Sequence, residues 1–309
     1  MIARVRILIA LAAFATVGCN FAQMGVSRVD SRLAAMVPAD TIGLVGIRMD
    51  ELRAAPLYQK MVSLQRLTQF DELAAQTGFD PRTDVRELLI ASNGKDNALI
   101  LARGTFHIRA AQGAKKSAYQ GYTLFMREEG GVGIIDESTA VAGKPASVRA
   151  ALDQFKSGRS GADPDLLARA RSIGAENQMW SVSKGFGGIL DRAMPDSGNA
   201  ANVTKILSAL ENITAAVDVR SGVKGFATGL CRNDQDAKNL GDAARGMVGL
   251  GRLSVPENQP QMLRVWDGIK VEQQQRTVKI NVAIPQELVD KLVEMVGSGR
   301  GVRPGAGRY

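Results

Sequence analysis

Hydrophobic positions along the chain switch repeatedly between a two-residue and a 3.6-residue period, and the switches mark out the elements. Thr41–Arg48 is apolar with strand character, and Asp50 comes after it where a carboxylate can accept from the free amides of a helix start. Leu57, Met61 and Leu64 then recur at helical spacing behind Pro56, a residue tolerated in a first turn. A second helical piece, Thr68 to Thr77, stops at Gly78. DVRELLIASN and NALILARGTF read as two strands about Asn93-Gly94, with enough polar residues from Asn93 to Asp96 for a loop longer than a two-residue turn. GYTLFMREEGGVGIIDESTAVAG adds two or three strands, one pair hinged at Gly130-Gly131, and PASVRAALDQF closes the segment as a helix.

SGRSGADPD, residues 157–165, is small, polar and rich in breakers, the composition of a linker. The chain beyond this linker resembles the first half. QMWSVSKGFGGIL has the strand-then-helix start of TIGLVGIRMDELR, and ITAAVDVRSGVKGFATGLC has the two-strand form of ELLIASNGKDNALILARGTF. Ser221-Gly222 stands where Asn93-Gly94 stood. In the closing helices Pro145, Val148, Leu152 and Phe155 match Pro285, Leu288, Leu292 and Met295 at a constant offset of 140 residues. VKINVAIP alternates Val278, Ile280, Val282 and Ile284 against Lys279, Asn281 and Ala283, the pattern of a sheet with one wet face. The expected fold class is α+β: two similar units, each an antiparallel sheet with helices packed on one face, with Leu152 and Leu292 in equivalent buried positions. Residues 37–156 form the first unit and 166–296 the second, joined by the 157–165 linker.

The N-terminus carries an address. Arg4 and Arg6 precede an apolar run from Ile7 to Val17, about half the ~20 residues that span a bilayer, so residues 1–18 read as a signal peptide. Thr16-Val17-Gly18-Cys19 has the form of a lipobox, in which the Cys19 thiol receives diacylglycerol, although Thr16 stands where leucine is usual. Ordinary cleavage after Ala15, in the small-x-small run Ala13-Phe14-Ala15, is the competing reading. Asn20 is not the aspartate associated with inner-membrane retention, which favours the outer membrane. Residues 19–36 then form a tether, and 297–309 a disordered Gly/Arg tail.

Charge and cysteine content narrow the functional classes. The net charge of +8 falls to +3 once the two arginines of the leader and the three of the tail are set aside, and the body shows no basic cluster with interleaved aromatics. No nucleic-acid partner is expected. Cys19 and Cys231 are the only cysteines, so no disulfide framework is available, and with His107 the only histidine no ordinary zinc site can be assembled in one chain. Ser181-Val-Ser-Lys184 has S-x-x-K spacing, but that chemistry needs a helix and these residues read as strand, where i and i+3 face opposite ways. GFGGIL, residues 185–190, places Leu190 where a dinucleotide fingerprint needs Gly or Ala. No catalytic residue, cofactor or metal site is expected.

LVGIRMDELRAAPLYQKM, GFDPRTDVRELLIASNGKDNALILARGTF, GYTLFM and STAVAGKPASVRAAL resemble predicted lipoproteins of bacterial envelopes in domain-of-unknown-function families, over most of residues 37–156 and more faintly beyond. The resemblance implies export and no activity. The leading expectation is a noncatalytic, lipid-anchored envelope protein with a binding or structural role, held to the membrane through its N-terminal lipid and meeting an envelope protein or polymer. The alternatives are a periplasmic carrier of a small apolar ligand between the two units and, more distantly, a serine hydrolase using Ser181 and Lys184.

Overall fold

A computed structural model describes residues 29–64, 68–94, 97–107, 113–159, 161–185 and 206–297. The leader, Cys19, the first part of the tether, residues 186–190 of the glycine run and the tail from residue 298 lie outside the described residues.

Among the described residues twelve strands form one antiparallel sheet in the order β11-β12-β10-β9-β8-β1-β2-β3-β7-β6-β5-β4. The first half contributes β1 (Gly43–Arg48), β2 (Val85–Ser92), β3 (Ala98–Gly104), β4 (Lys115–Tyr119), β5 (Tyr122–Met126), β6 (Gly131–Asp136) and β7 (Thr139–Gly143). The second contributes β8 (Met179–Lys184), β9 (Leu210–Asp218), β10 (Val223–Cys231), β11 (Ile269–Gln274) and β12 (Thr277–Ile284). The halves are not separate sheets: β1 and β8 pair antiparallel, with Gly46 opposite Trp180 and Leu44 opposite Val182. The order β1-β2-β3-β7-β6 on one side of that seam is answered by β8-β9-β10-β12-β11 on the other.

Alternate residues of the strands point to opposite faces, and helices lie on both, not on one as expected. Leu44, Leu89, Leu101, Val141, Trp180 and Val182 pack in one buried cluster with Leu33 of α1 (Ser31–Ala35), Val148 and Leu152 of α6 (Pro145–Ser157), and Leu166 and Ala170 of α7 (Pro164–Arg171). This is the main core. Each fully buried leucine contributes about 1.5–3 kcal/mol relative to exposure. The tether's last residues belong to it: Asp30 caps α1 by accepting from the amides of Arg32 and Leu33, and Val29 and Leu33 are buried. The expected linker likewise ends in a cap, since the Asp163 carboxylate accepts from the amides of Asp165 and Leu166 and starts α7.

On the opposite face Ile47, Met179, Val217 and Val223 pack beneath Leu52 and Ala55 from α2 (Met49–Ala54) and the turn after it, and beneath Leu57 and Tyr58 of α3 (Pro56–Leu64). Asp50 lies within the first turn of α2, not at its cap; its carboxylate accepts from the Glu51 amide at 2.9 Å. Two short helices, α4 (Thr68–Thr77) and α5 (Pro81–Asp84), lead back to β2. At the far edge, α8 (Asp234–Leu253) crosses β11 and β12, burying Ala237 against Cys231, Leu210 and Val278, and α9 (Leu263–Asp267) precedes β11. Burial pushes the Cys231 thiol pKa up.

The closing helices do not play equivalent roles. Helix α6 lies against β6 and β7 with Leu152 fully buried, whereas α10 (Gln286–Gly297) packs against α3 and leaves Leu292 half-buried. Lys60 of α3 donates to Glu294 at 2.8 Å and to the Asp290 carbonyl at 3.3 Å, which ties α10 to the first half. Gly222 requires its residue type: at φ +96°, a Cβ would sit 2.3 Å from the Ile284 carbonyl oxygen.

Leu152→Ala should lower the unfolding free energy by about 2–5 kcal/mol, while Leu292→Ala should cost clearly less. Gly46→Ala should also destabilise, by roughly 1–3 kcal/mol, because its Cβ would lie 2.1 Å from the Trp180 ring. Urea unfolding of the three variants checks all of this.

Candidate functional site

An apolar cavity of about 520 Å³ lies between the sheet and the cover formed by helices α2 to α4. The floor is Leu88 of β2, Ile100 and Ala102 of β3, Ala140 and Ala142 of β7 and Val132 of β6; the roof is Met49, Tyr58, Phe70 and Leu73, with Phe79 and Phe106 closing one end. The two phenylalanine rings are 5.6 Å apart and tilted. The void results from residue size. Three alanines stand on the floor where bulkier side chains would fill the layer, and α4 reaches over them with Phe70 and Leu73. A volume in this range suits a small organic molecule.

The polar groups at the rim are committed to one another. The Thr77 hydroxyl donates to the Leu73 carbonyl at 2.7 Å and accepts from the Phe79 amide at 3.2 Å. Arg82 grips Asp80 with both Nε and Nη2, at 2.9 and 2.7 Å, and reaches Asp71 of α4 at 2.8 Å. Arg53 of α2 donates to the carbonyls of Arg82 and Val85 at 2.9 and 2.7 Å. These contacts hold α2 and α4 to the connection before β2, so the roof is fastened by charge at its edge and by apolar contact in its middle. The Arg82 guanidinium holds the Asp80 carboxyl below the usual aspartate range.

Cross-strand register carries the floor beyond the roof. Phe125, Val132, Ala142, Ile100, Ile90 and Val45 are successive partners across β5, β6, β7, β3, β2 and β1. Ile100 and Val45 are 41% and 38% exposed, large for apolar side chains in the middle of a sheet, so the cavity floor opens sideways toward the β1–β8 seam.

The residues singled out in the sequence are scattered. Ser181 and Lys184 lie on opposite faces of β8: Ser181 pairs with Val45 and Ala215, while the Lys184 ammonium donates to Asp163 at the start of α7. His107 is exposed just past β3, well separated in sequence and element from both. Gly185 adopts φ +68° at the end of β8, and its amide donates to the Glu211 carbonyl at 2.7 Å. Among the described residues no group of three His, Cys, Asp or Glu side chains could hold a metal ion, and no helix is long and apolar enough to cross a membrane. The cavity residues were not singled out from the sequence. Their signal was present in the alanines of NALILARG and STAVAG, small residues on the strand face that a helical roof must cover.

No family model matches the chain, and no curated protein matches its sequence. Among solved structures the chain is similar to crystal form I of TP0453, with a TM-score of 0.50, 11% sequence identity, and coverage of 87% of this chain and 97% of that one. Crystal form III of TP0453 gives a TM-score of 0.51 at 11% identity over 87% and 98% of the two chains. At this identity the likeness concerns the fold alone: a large antiparallel sheet with helices is shared over nearly the whole length.

Asp80→Asn tests the fastened roof. Because the folded-state pKa of Asp80 is depressed, its contribution is present above its unfolded value of about 3.8 and is lost as pH falls through the lower folded value. The stability difference between the parent and Asp80→Asn should therefore be full at neutral pH and shrink below about pH 4. Urea midpoints measured across that range check it.

Proposed function

We propose that the protein is a noncatalytic, lipid-anchored envelope protein whose body binds a small apolar ligand in the cavity beneath α2 to α4. One observation carries this reading: a void of about 520 Å³ walled by aliphatic and aromatic side chains, with the hydrogen-bonding groups of Thr77 and Arg82 already paired. Such a site selects by shape and by removal of apolar surface from water, at roughly 25 cal/mol per Å². The ligand therefore sits within the first half, under its own helices, and not between two units. The opening at Ile100 provides an entry path that leaves the Arg82 clamp in place.

The strand order on the two sides of the β1–β8 seam supports descent of the halves from one repeated unit. In that reading β1, β2, β3, β7 and β6 correspond to β8, β9, β10, β12 and β11, and the helices after β7 and β12 diverged when α10 moved onto α3. The lipobox at Cys19 supports anchoring at the membrane surface, with the outer membrane favoured by Asn20. The anchor and the cavity would place an apolar-ligand site next to a lipid source.

Ala142→Trp fills the cavity floor from a position that faces the ligand. A fluorescent single-chain fatty-acid probe should bind the parent protein saturably and lose at least tenfold in affinity in Ala142→Trp, with the melting temperature kept. Equal affinity in a folded variant would refute the site. For the anchor, Cys19→Ser should abolish labelling by a fatty-acid analogue in cells. An unlipidated mature protein beginning at Thr16 would instead support cleavage after Ala15.

A further inference from the structure

The apolar row on the sheet does not stop at Val45. Val45 pairs with Ser181, Ser181 with Ala215, Ala215 with Ala227 and Ala227 with Ile280, all on the same face as Ile100. On this side of the seam the row lies in a second concavity, an open apolar groove of about 410 Å³. The groove owes its depth to the same device as the cavity, small residues on adjacent strands, here Ser181, Ala215, Gly225 and Ala227, flanked by larger Val and Ile side chains. By the matching strand order it occupies on β9, β10 and β12 the place that the cavity occupies on β2, β3 and β7. Between them stand Val45, Ile90 and Ile100, two of which are more than a third exposed.

We infer that cavity and groove are two arms of one binding surface, and that its occupant is a lipid with two hydrocarbon chains, one lying in the cavity and the other in the groove. Three observations lead to a single two-chain occupant. One register row of apolar side chains, Ile100, Ile90 and Val45, runs from the cavity to the groove, so a ligand entering at Ile100 has an apolar path two strands long to the groove at Val45. Their volumes are comparable, about 520 and 410 Å³. Apart from the uncharged Ser181, the row from Phe125 to Ile280 contains no polar side chain, so nothing along it would require the second chain to leave the surface. The inference rests on the proposed cavity site and extends it: a single-chain ligand would use the enclosed arm alone, and the open arm gains value only from a chain tethered to one already bound.

The test compares two probes on three proteins. A fluorescent single-chain fatty acid and a fluorescent diacyl phospholipid, delivered from vesicles of the same unlabelled phospholipid, are titrated into the parent, Ala142→Trp and Ala227→Trp. Ala227→Phe serves as the second groove variant if the tryptophan lowers the melting temperature. The groove variants should weaken the diacyl probe at least fivefold and leave the single-chain probe unchanged; Ala142→Trp should weaken both. A groove substitution that leaves diacyl affinity unchanged overturns the two-arm surface while the cavity site stands. Loss of neither probe in Ala142→Trp overturns the cavity site itself. Sedimentation of the parent without lipid provides the remaining arm: a dimer that Ala227→Trp converts to monomer would show that a second copy covers the groove, and would also overturn the proposal.

Discussion

Backbone pairing between β1 and β8 is the constraint on which the rest of the molecule depends. Each strand would otherwise end a half-sheet with unpaired amides and carbonyls and with apolar side chains on both faces, an arrangement prone to pairing with other chains. The seam is extended beyond the strands by the Arg48 amide on the Gln178 carbonyl at 2.8 Å and the Lys184 amide on the Ile42 carbonyl at 2.7 Å. Its side chains are matched as closely as its backbone. Trp180 lies over Gly46, where only a hydrogen fits, and it belongs to a core cluster that joins residues of both halves, Leu44 and Leu89 with Val182 and Ala216. Val45, on the reverse face, is left half-open because its partner across the seam is a serine.

Fusion at the seam makes the two faces unequal. The face bearing Leu44 and Trp180 is closed by α1, α6 and α7, which cover the first half and the seam itself and bury a close-packed core. Beyond the seam that face turns polar, with Lys279 set over the Phe226 ring at 6.0 Å. The reverse face is apolar across both halves but is built from alanine, glycine and serine in its centre. Close packing in protein interiors normally leaves few voids. Here the helices above the floor are supported at their ends, by Arg82 and Arg53 on one side and by Lys60 on the other, so they bridge the small residues without collapsing onto them. The same bridging explains why the roof is fastened by ion pairs at its rim.

Much of the strand framework was legible because burial imposes alternation. Gly43–Arg48 within the expected Thr41–Arg48 run, the pair around Asn93-Gly94 and Val278–Ile284 all form strands, and the loop at Asn93 is longer than two residues. The elements that the sequence did not reveal lack that signal for identifiable reasons. Lys115–Tyr119 is an edge strand, exposed for most of its length, and has no buried face to betray it. Helix α8 contains Gly241, Gly246, Gly249 and Gly251, which argue against a helix by propensity; Gly251 is needed because a Cβ would lie 2.3 Å from the Trp266 ring. The offset of 140 residues paired the closing helices, yet they pack on different neighbours, since proline and then spaced apolar residues specify a helix without specifying what it covers. The cavity was invisible for a related reason: alternation marks a residue as inward-facing, whereas a void depends on what the opposing layer fails to fill.

Ligand binding on the apolar face requires entry at Ile100. Methyl spectra of isoleucine-labelled protein, recorded during titration with a long-chain fatty acid, report this directly. The Ile100 methyl should shift first and furthest, with Ile90 next, while Ile173, buried in the core on the opposite face, stays unchanged at saturation. An unmoved Ile100 at saturating ligand, or shifts spread equally over Ile100 and Ile173, would contradict it.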